Sequence, residues 1–253
     1  MTAFEDVCEQ ETPDSVVVVG DVNSTVAISD QFFVTERHGV DNLRGEGHAE
    51  DAIHFVGHVM IDNLLYQQSR LATTGPSNRA RELASSLPDR YACLTLHRPV
   101  NVDSQDVLGR IVNTLVSLSS ELPILFPAHP RTRARLETFR LLDRLQSAVT
   151  ITEPLGYDDF LYLWQNATLV LTDSGGLQEE TTALGIPCIT LRENTERPIT
   201  VDVGTNTLVG TDPETIRTTV GQVLDGTYKT GRIPDLWDGK ASERICRILV
   251  NGS

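Results

Sequence analysis

The sequence is poor in cysteine and has no cysteine pair at the spacing of a metal or redox motif. Three of the four cysteines lie in apolar runs, and the four are scattered through 253 residues as Cys8, Cys93, Cys188 and Cys246. They are expected to be buried thiols of a protein from a reducing compartment. A Gly-x-Ser-x-Gly elbow is also missing. We therefore expect no metal site, no cofactor and no serine-hydrolase chemistry.

Long apolar runs and a basic leader segment are missing as well. No apolar stretch approaches the roughly 18 residues that a membrane-spanning helix needs. The first eleven residues are acidic and carry no apolar segment of signal-peptide type. These features predict a cytoplasmic protein without a membrane partner.

Positive charge is scarce in this chain. It carries 21 lysines and arginines against 35 acidic residues, with a formal net charge of −14 and a pI near 4.8. A long-range field of this sign repels nucleic acids and anionic membranes. Nucleic acid is therefore not expected as a partner, and any anionic ligand must meet a local basic pocket.

Between residues 91 and 224 the sequence alternates short β-branched runs with helical patterns. Five such runs are present: YACLTLH, PILFPAH, SAVTIT, TLVLTD and PCITL. Their alternation predicts an α/β fold with βαβ units, a parallel sheet and helices on both faces of the sheet. Residues 132–145 are predicted to form a helix, because Leu136, Phe139, Leu142 and Leu145 recur at three-residue steps.

The pattern before residue 91 is thinner. It predicts a strong strand at residues 16–20, a second strand at 53–57 and a helix around 59–70. The polar, turn-forming stretch at 72–78 predicts a linker. We therefore expect a reduced Rossmann-like N-terminal lobe at 1–75, a full Rossmann-like lobe at 76–239 and a C-terminal helix at 240–253 that packs back across the lobes.

The strongest local motif is an apolar strand that leads into Asp173, Ser174, Gly175 and Gly176 and then into a helix. Unpaired amides at a helix start favour an anion, and two glycines let a phosphate approach the backbone closely. The alternative is an ordinary strand-to-helix turn that Asp173 or Ser174 caps. Near a phosphate site, Glu180 could accept hydrogen bonds from a ribose diol.

Histidine and arginine follow three further strands of the pattern. His97 and Arg98 end one strand, His129 ends the next, and Arg197 lies in the loop after a third. Because parallel strands share one carboxyl edge, these groups are expected to serve one anionic ligand, by phosphate contact or proton transfer. The alternatives are a histidine that closes a turn and a solvated charge run. Asp21 is either a helix cap or a carboxylate that faces the cleft.

Eight strings occur in one order along nearly the whole chain: VVVVGDVNST, FVTERHGVDNLRGEG, FVGHVMIDNLL, LTLHRPVNVD, HPRTR, EPLGYDDFLYLWQNATLVLTDSGGLQEE, RENTERPITVDVGTNTLVGTD and DGKASERI. Their sequence and order resemble those of the non-hydrolysing UDP-N-acetylglucosamine 2-epimerases. The resemblance implies the two-lobed, glycosyltransferase-B-type fold, with UDP bound by the C-terminal lobe. It also implies homodimers that form through the N-terminal lobe.

The resemblance implies an isomerase that interconverts UDP-GlcNAc and UDP-ManNAc, eliminating UDP to a glycal and adding it back, in surface-polysaccharide precursor synthesis. It implies the following residue roles: diphosphate binding by Ser174, Gly175 and Gly176, ribose binding by Glu180, a place near the uridine for Phe160, phosphate contact or catalysis by His97, and acid–base chemistry by Asp21. Arg98, His129 and Arg197 are further candidates for UDP binding.

The chain departs from the family pattern in its N-terminal half. It begins after the family's first strand and Gly-Thr-Arg-Pro-Glu-like turn, and between Ala27 and Ile28 it lacks a few dozen residues that carry two catalytic glutamates. Val100 and His58 stand where glutamate and asparagine are usual. We expect weak or no epimerase turnover and, because the lobe is reduced, exposed apolar surface with either aggregation or altered association. The alternatives are a non-catalytic UDP or UDP-sugar binding remnant and a glycosyltransferase, which explains the motifs less well.

Overall fold

The computed structural model describes residues 10–13, 16–18 and 29–251. The chain forms two compact units, which divide between Phe55 and Val56. The sequence-based boundary near residue 75 assigns the helix at 59–74 to the N-terminal lobe. In the structure this helix buries Ile61 and Leu64 completely in a core of the larger unit. The division between the compact units therefore lies before this helix rather than after it.

The smaller unit contains a two-stranded parallel sheet. Strand β1 (Phe32–Val34) pairs with β2 (Ile53–Phe55), and helix α1 (Arg37–Gly45) and a short 3-10 turn (Glu50–Ala52) connect them. The strand predicted at 53–57 is thus confirmed for residues 53–55. The strand predicted at 16–20 is wrong for residues 16–18, which are irregular and exposed. A valine run becomes a strand only where a neighbouring strand takes up its backbone hydrogen bonds, and neither β1 nor β2 pairs with these residues.

The larger unit alternates helices and strands. Its first half contains α2 (Val59–Thr74), α3 (Asn78–Ser86), β3 (Ala92–Leu94), α4 (Pro99–Val102), α5 (Gln105–Leu118), β4 (Ile124–Pro127), α6 (Pro130–Thr138), α7 (Leu142–Gln146) and β5 (Thr150–Thr152). Its second half contains α8 (Tyr157–Trp164), β6 (Leu169–Thr172), α9 (Gly175–Leu184), β7 (Cys188–Thr190), α10 (Pro198–Asp202), β8 (Asn206–Leu208), α11 (Pro213–Leu224) and α12 (Ala241–Asn251).

The six strands of this unit form one parallel sheet in the order β5-β4-β3-β6-β7-β8. All five strands predicted between residues 91 and 224 are present in this sheet, and β8 is a sixth strand that was not predicted. The chain moves outward from β3 to β5 and then returns to β6 on the other side of β3. This order is that of a doubly wound nucleotide-binding fold, and its switch point lies between β3 and β6, where such sheets bind ligands.

Side chains of the central strands alternate between two cores, one on each face of the sheet. In β3, Ala92 and Leu94 lie in one core, which α5 and α11 cover, and Cys93 lies in the other. Helices α2, α8 and α9 cover that second core, with the fully buried Trp164 at its centre. The apolar runs are continuous because both faces are buried, as the sequence predicts.

The helix predicted at 132–145 is two helices. Helix α6 ends at Thr138 and α7 begins at Leu142. Between them Arg140 adopts a left-handed conformation, with φ of 57°. The amides of Arg140 and Leu141 donate to the carbonyls of Glu137 and Leu136, which closes α6 as a Schellman motif with arginine at the position that glycine usually occupies.

The C-terminal helix predicted at 240–253 is confirmed for residues 241–251 as α12, which packs against α2; residues 252–253 lie outside the described residues. The carboxylate of Asp62 on α2 accepts hydrogen bonds from the backbone amides of Ala241 and Ser242, at 3.1 and 2.6 Å.

The expectation of buried thiols holds for Cys93 and Cys188 and is wrong for Cys246, because that residue faces solvent on α12. Cys8 lies outside the described residues. None of the described helices is long and apolar enough to cross a membrane.

Replacing Leu94 with alanine tests the importance of the central strand. Leu94 is fully buried, and removing a buried leucine side chain costs about 2–5 kcal/mol of unfolding free energy. Val100→Ala is the control, because Val100 is 71% exposed and its replacement is expected to change stability by less than about 0.5 kcal/mol. Urea unfolding of both variants measures the difference, and equal midpoints would contradict the assignment of the core.

Candidate nucleotide-binding site

The residues that follow β3 and β6 meet at the switch point of the sheet. The amide of Thr95 donates to the carbonyl of Leu171 at 2.9 Å, and the hydroxyls of Thr95 and Thr172 are 2.6 Å apart. The two strands therefore remain side by side up to the loops that carry His97 and Ser174. This pairing fixes the separation of the two loops.

The carboxylate of Asp173 connects these loops. It is fully buried and accepts the amides of His97 and Arg98 at 3.0 and 2.8 Å, and the side-chain amide of Asn101 at 3.2 Å. Its Oδ1 lies 3.0 Å from Nδ1 of His97. Burial alone would raise the pKa of Asp173, but the hydrogen bond from His97 and the amide of Arg98 outweigh burial and hold that pKa below its usual value.

His97 presents its other ring nitrogen to the ligand side. Because Nδ1 donates to Asp173, Nε2 remains for a ligand. The hydrogen bond to Asp173 raises the pKa of His97, which favours the doubly protonated ring with a donor on each nitrogen. The ring of His129 lies nearby, with centroids 6.1 Å apart, and its Nδ1 accepts the amide of Arg131 at 3.2 Å.

Helix α9 begins at this point with two glycines. Its N-cap, Ser174, is extended and makes no side-chain cap hydrogen bond. Neither Gly175 nor Gly176 has a positive φ, and a Cβ on either would meet no atom closer than 3.9 Å. The fold itself therefore does not require glycine at the two positions. Close approach of a ligand to the helix start does require it.

Arg98 lies beside the start of α9. Its Nε donates to the carbonyl of Asp173 at 3.2 Å, and its Nη2 lies 3.9 Å from the position that a Cβ of Gly175 would take. Its Nη1 lies 3.7 Å from Glu196. Arg192 binds both oxygens of Glu196, at 2.8 and 2.9 Å, and these bonds lower the pKa of Glu196 to about 2. Because Arg192 neutralises Glu196, Arg98 supplies positive charge at the helix start.

A cavity of about 340 Å³ opens beside the glycines. Its apolar wall contains Leu96, Pro127, Pro154, Leu155, Phe160 and Leu177. Its polar lining contains Thr95, His97, His129, Tyr157, Ser174 and Glu180. A nucleotide combines a flat base with a phosphate group. The apolar wall can contact the base while the helix start binds the phosphate.

Glu180 and Arg197 lie in two different environments. Glu180 is 7% exposed and lines the cavity, where the hydroxyl of Tyr157 donates to its Oε1 at 2.7 Å. Arg197 instead pairs through Nε with the buried carboxylate of Glu179 at 2.7 Å, which His58 also contacts at 2.9 Å. Arg197 therefore holds its loop against α9, and Arg98 is the arginine at the glycine turn.

Comparison with known proteins agrees with this geometry. A sequence model of the UDP-N-acetylglucosamine 2-epimerase family matches residues 26–250. The UDP-N-acetylglucosamine 2-epimerase of Methanocaldococcus jannaschii is 37% identical over 290 aligned positions, covering 98% of this chain and 78% of that protein. The chain belongs to the UDP-N-acetylglucosamine 2-epimerase family. Members of this family are isomerases, as the sequence motifs predict.

Two further comparisons concern the fold and the substrate range of the family. The crystal structure of the M. jannaschii epimerase in complex with UDP-GlcNAc and UDP superposes with a TM-score of 0.83 at 36% identity, over 99% of this chain and 79% of that one. The likeness confirms the glycosyltransferase-B-type α/β fold. UDP-2,3-diacetamido-2,3-dideoxy-D-glucuronate 2-epimerase of Pseudomonas aeruginosa is 33% identical over 98% of this chain and 77% of its own length.

The alignment to the M. jannaschii epimerase also contains positions that have no counterpart in this chain. Its 290 positions exceed the 253 residues of this chain by 37. At least 37 aligned positions of the relative therefore face no residue here. A chain shorter by a few dozen residues is also what the family resemblance implies.

The structure brings most of the sequence-predicted site residues together. His97, His129, Phe160, Ser174, Gly176 and Glu180 line one cavity, and Gly175 and Arg98 lie at its edge. Asp21 lies outside the described residues. Sequence reasoning treated Asp173 only as a cap and did not identify Tyr157. In the sequence, Asp173 could have been noticed because it directly follows β6, and Tyr157 because it begins α8. Only the tertiary fold pairs Asp173 with His97 and Tyr157 with Glu180.

The pair of His97 and Asp173 predicts a pH dependence of stability. The pKa of His97 is raised on folding, so the stabilisation from its protonated form is complete below the unfolded value, about 6.5, and is lost as the pH rises through the folded pKa. His97→Gln is therefore expected to lower the unfolding free energy more at pH 5.5 than at pH 8.5. Urea unfolding of both proteins at the two pH values measures this, and an equal loss at both would contradict the pairing.

Proposed function

We propose that this protein is a non-hydrolysing UDP-N-acetylglucosamine 2-epimerase that binds UDP and UDP-GlcNAc in the larger unit. The observation that carries the proposal is the start of α9, where two glycines that the fold does not need lie beside Arg98 and a cavity with an apolar wall. Helix amides and a cation favour a diphosphate. The cavity accepts the nucleoside, with Phe160 on its wall and Glu180 beside the ribose.

The proposed chemistry follows from stabilising the leaving UDP. A base removes the proton from carbon 2 of the sugar, the bond from carbon 1 to the phosphate oxygen breaks, and UDP leaves with that electron pair. Return of UDP to the glycal and of a proton to the opposite face of carbon 2 gives UDP-ManNAc. We propose that His97 and Arg98 stabilise charge on the departing diphosphate, because His97 lines the cavity and Arg98 lies beside the start of α9. Asp21 is the carboxylate proposed for proton transfer.

The unmatched positions of the alignment favour a second candidate, a protein that binds UDP or UDP-sugar with little turnover. At least 37 aligned positions of the M. jannaschii enzyme have no counterpart in this chain, and the missing motifs carry two glutamates in the family pattern. General acid–base groups contribute typically about 10²–10⁴-fold to rate. Binding depends on α9 and its neighbours, which are present, so we propose that binding is retained and that turnover is impaired.

Gly176→Ala separates ligand binding from folding. The new methyl group meets no protein atom closer than 3.9 Å, and alanine is the better helix former, so stability is expected to stay constant or to rise by up to about 1 kcal/mol. The methyl group blocks approach of phosphate to the helix start, so UDP affinity is expected to fall at least about tenfold, or about 1.4 kcal/mol.

Gly109→Ala is the matched control, because Gly109 lies in α5 with no atom within 4 Å of its added methyl group and outside the cavity. It is expected to keep the UDP affinity of the unchanged protein. Calorimetric titration with UDP measures both variants. Unchanged binding by the folded Gly176→Ala protein would contradict the proposed phosphate site.

Turnover is tested with UDP-GlcNAc in D₂O by proton NMR. Epimerisation removes the proton from carbon 2, so UDP-ManNAc is expected to appear slowly with deuterium at that carbon. Deuterium exchange or a UDP-ManNAc anomeric signal supports the epimerase. A folded protein that binds UDP and shows neither signal is the binding protein of the second candidate. Transfer of the sugar to an acceptor with release of free UDP would contradict both.

A further inference from the structure

The hydrogen bond between Tyr157 and Glu180 lies outside the two core clusters of the larger unit. It joins the first residue of α8 to the second turn of α9 at the edge of the cavity, and Tyr157 is 41% exposed. It occupies only Oε1 of Glu180. The other oxygen, Oε2, receives no hydrogen bond from any residue that the structure describes, and it belongs to a side chain that lines the cavity.

The chemistry of Glu180 depends on its ionisation. An ionised carboxylate accepts hydrogen bonds only, whereas the protonated acid also donates one. A ribose diol offers two hydroxyl donors, so it is recognised best by the ionised form. Burial raises the pKa of Glu180 and the hydrogen bond from Tyr157 opposes that rise. Tyr157 therefore favours the ionised form of Glu180, which can accept hydrogen bonds from both ribose hydroxyls.

Few other titratable groups face Glu180. Glu179 precedes it on α9 and raises its pKa further, although His58 and Arg197 contact the Glu179 carboxylate. His97 and His129 line the same cavity from the ends of β3 and β4. Asp158 follows Tyr157 and acts on the tyrosine rather than on Glu180. Among the described groups, the Tyr157 hydroxyl is the one that donates a hydrogen bond to this carboxylate.

We propose that Tyr157 is a positioning residue for ribose recognition: its hydroxyl fixes Glu180 with one oxygen occupied and the other directed to the ribose diol. The proposal rests on the proposed binding of UDP in this cavity. It makes Tyr157 a determinant of selectivity for ribonucleotides over nucleotides that lack ribose hydroxyls. Tyr157 contacts no reacting atom and acts on the ligand only through Glu180.

Tyr157→Phe removes this one hydroxyl and keeps the ring. Affinity for UDP is expected to fall about five- to tenfold at pH 7, the scale of one net intramolecular hydrogen bond, because Glu180 is no longer fixed. The loss is expected to be larger at pH 6 than at pH 8.5, because the variant raises the pKa of Glu180 and so keeps it protonated to higher pH. Titration of UDP itself is common to both proteins and cancels in the ratio of their dissociation constants.

The ligand control is a uridine diphosphate that lacks both the 2′ and 3′ hydroxyls. Both proteins are expected to bind it equally, because Tyr157 acts only through contacts that this analogue cannot make. The protein control is Tyr162→Phe, the same change on the same helix at a residue that packs against the core and does not line the cavity. It is expected to keep the UDP affinity of the unchanged protein.

Three outcomes overturn the inference, and they differ from failure of the proposed function. Equal UDP affinity of Tyr157→Phe and the unchanged protein at every pH overturns the inference alone. An equal loss for UDP and for the dideoxy analogue does so as well, since Tyr157 would then act on the base or on the cavity. Absence of UDP binding by the folded, unchanged protein overturns the proposed function and the inference together.

Discussion

The geometry of the candidate site depends on one buried carboxylate. Asp173 is completely removed from solvent and interacts with His97, Arg98 and Asn101. A buried charge is tolerated only when donors of this kind surround it, and removing one partner of such a group is strongly destabilising. The donors follow β3 in the chain, and the acceptor follows β6. The same interaction therefore joins the two strand ends. It also orients the imidazole of His97 and places Arg98 beside the start of α9.

The site also explains how an acidic protein can hold an anion. The net charge of −14 opposes a diphosphate at long range, so attraction must come from short-range groups. Two carboxylates close to α9 are paired, Glu196 with Arg192 and Glu179 with Arg197 and His58. Arg98, His97 and the amides of α9 then provide the local positive potential.

Sequence patterns predicted those features that depend on neighbours along the chain. Five strands could be predicted because both faces of the sheet are buried and the strands are therefore continuous apolar runs. The polar residues after β3 and β6 predicted the edge of the sheet where a ligand binds. Patterns failed where a distant contact or its absence decides the outcome. The valine run at 16–18 has no partner strand among residues 29–251, and the leucine spacing at 132–145 conceals a turn closed by Arg140 in a left-handed conformation. Asp173 resembles a cap in the sequence, and only the crossover of the chain brings it to His97.

A titration of the ¹⁵N-labelled protein with UDP, followed by amide NMR, observes the proposed phosphate site at its own atoms. The amide signals of Gly175 and Gly176 are expected to shift most, because hydrogen bonds from the start of α9 to the diphosphate alter those protons first. Saturable shifts centred on these glycines would establish the phosphate site. Binding whose shifts leave both glycines unchanged, or no binding by the folded protein, would contradict it.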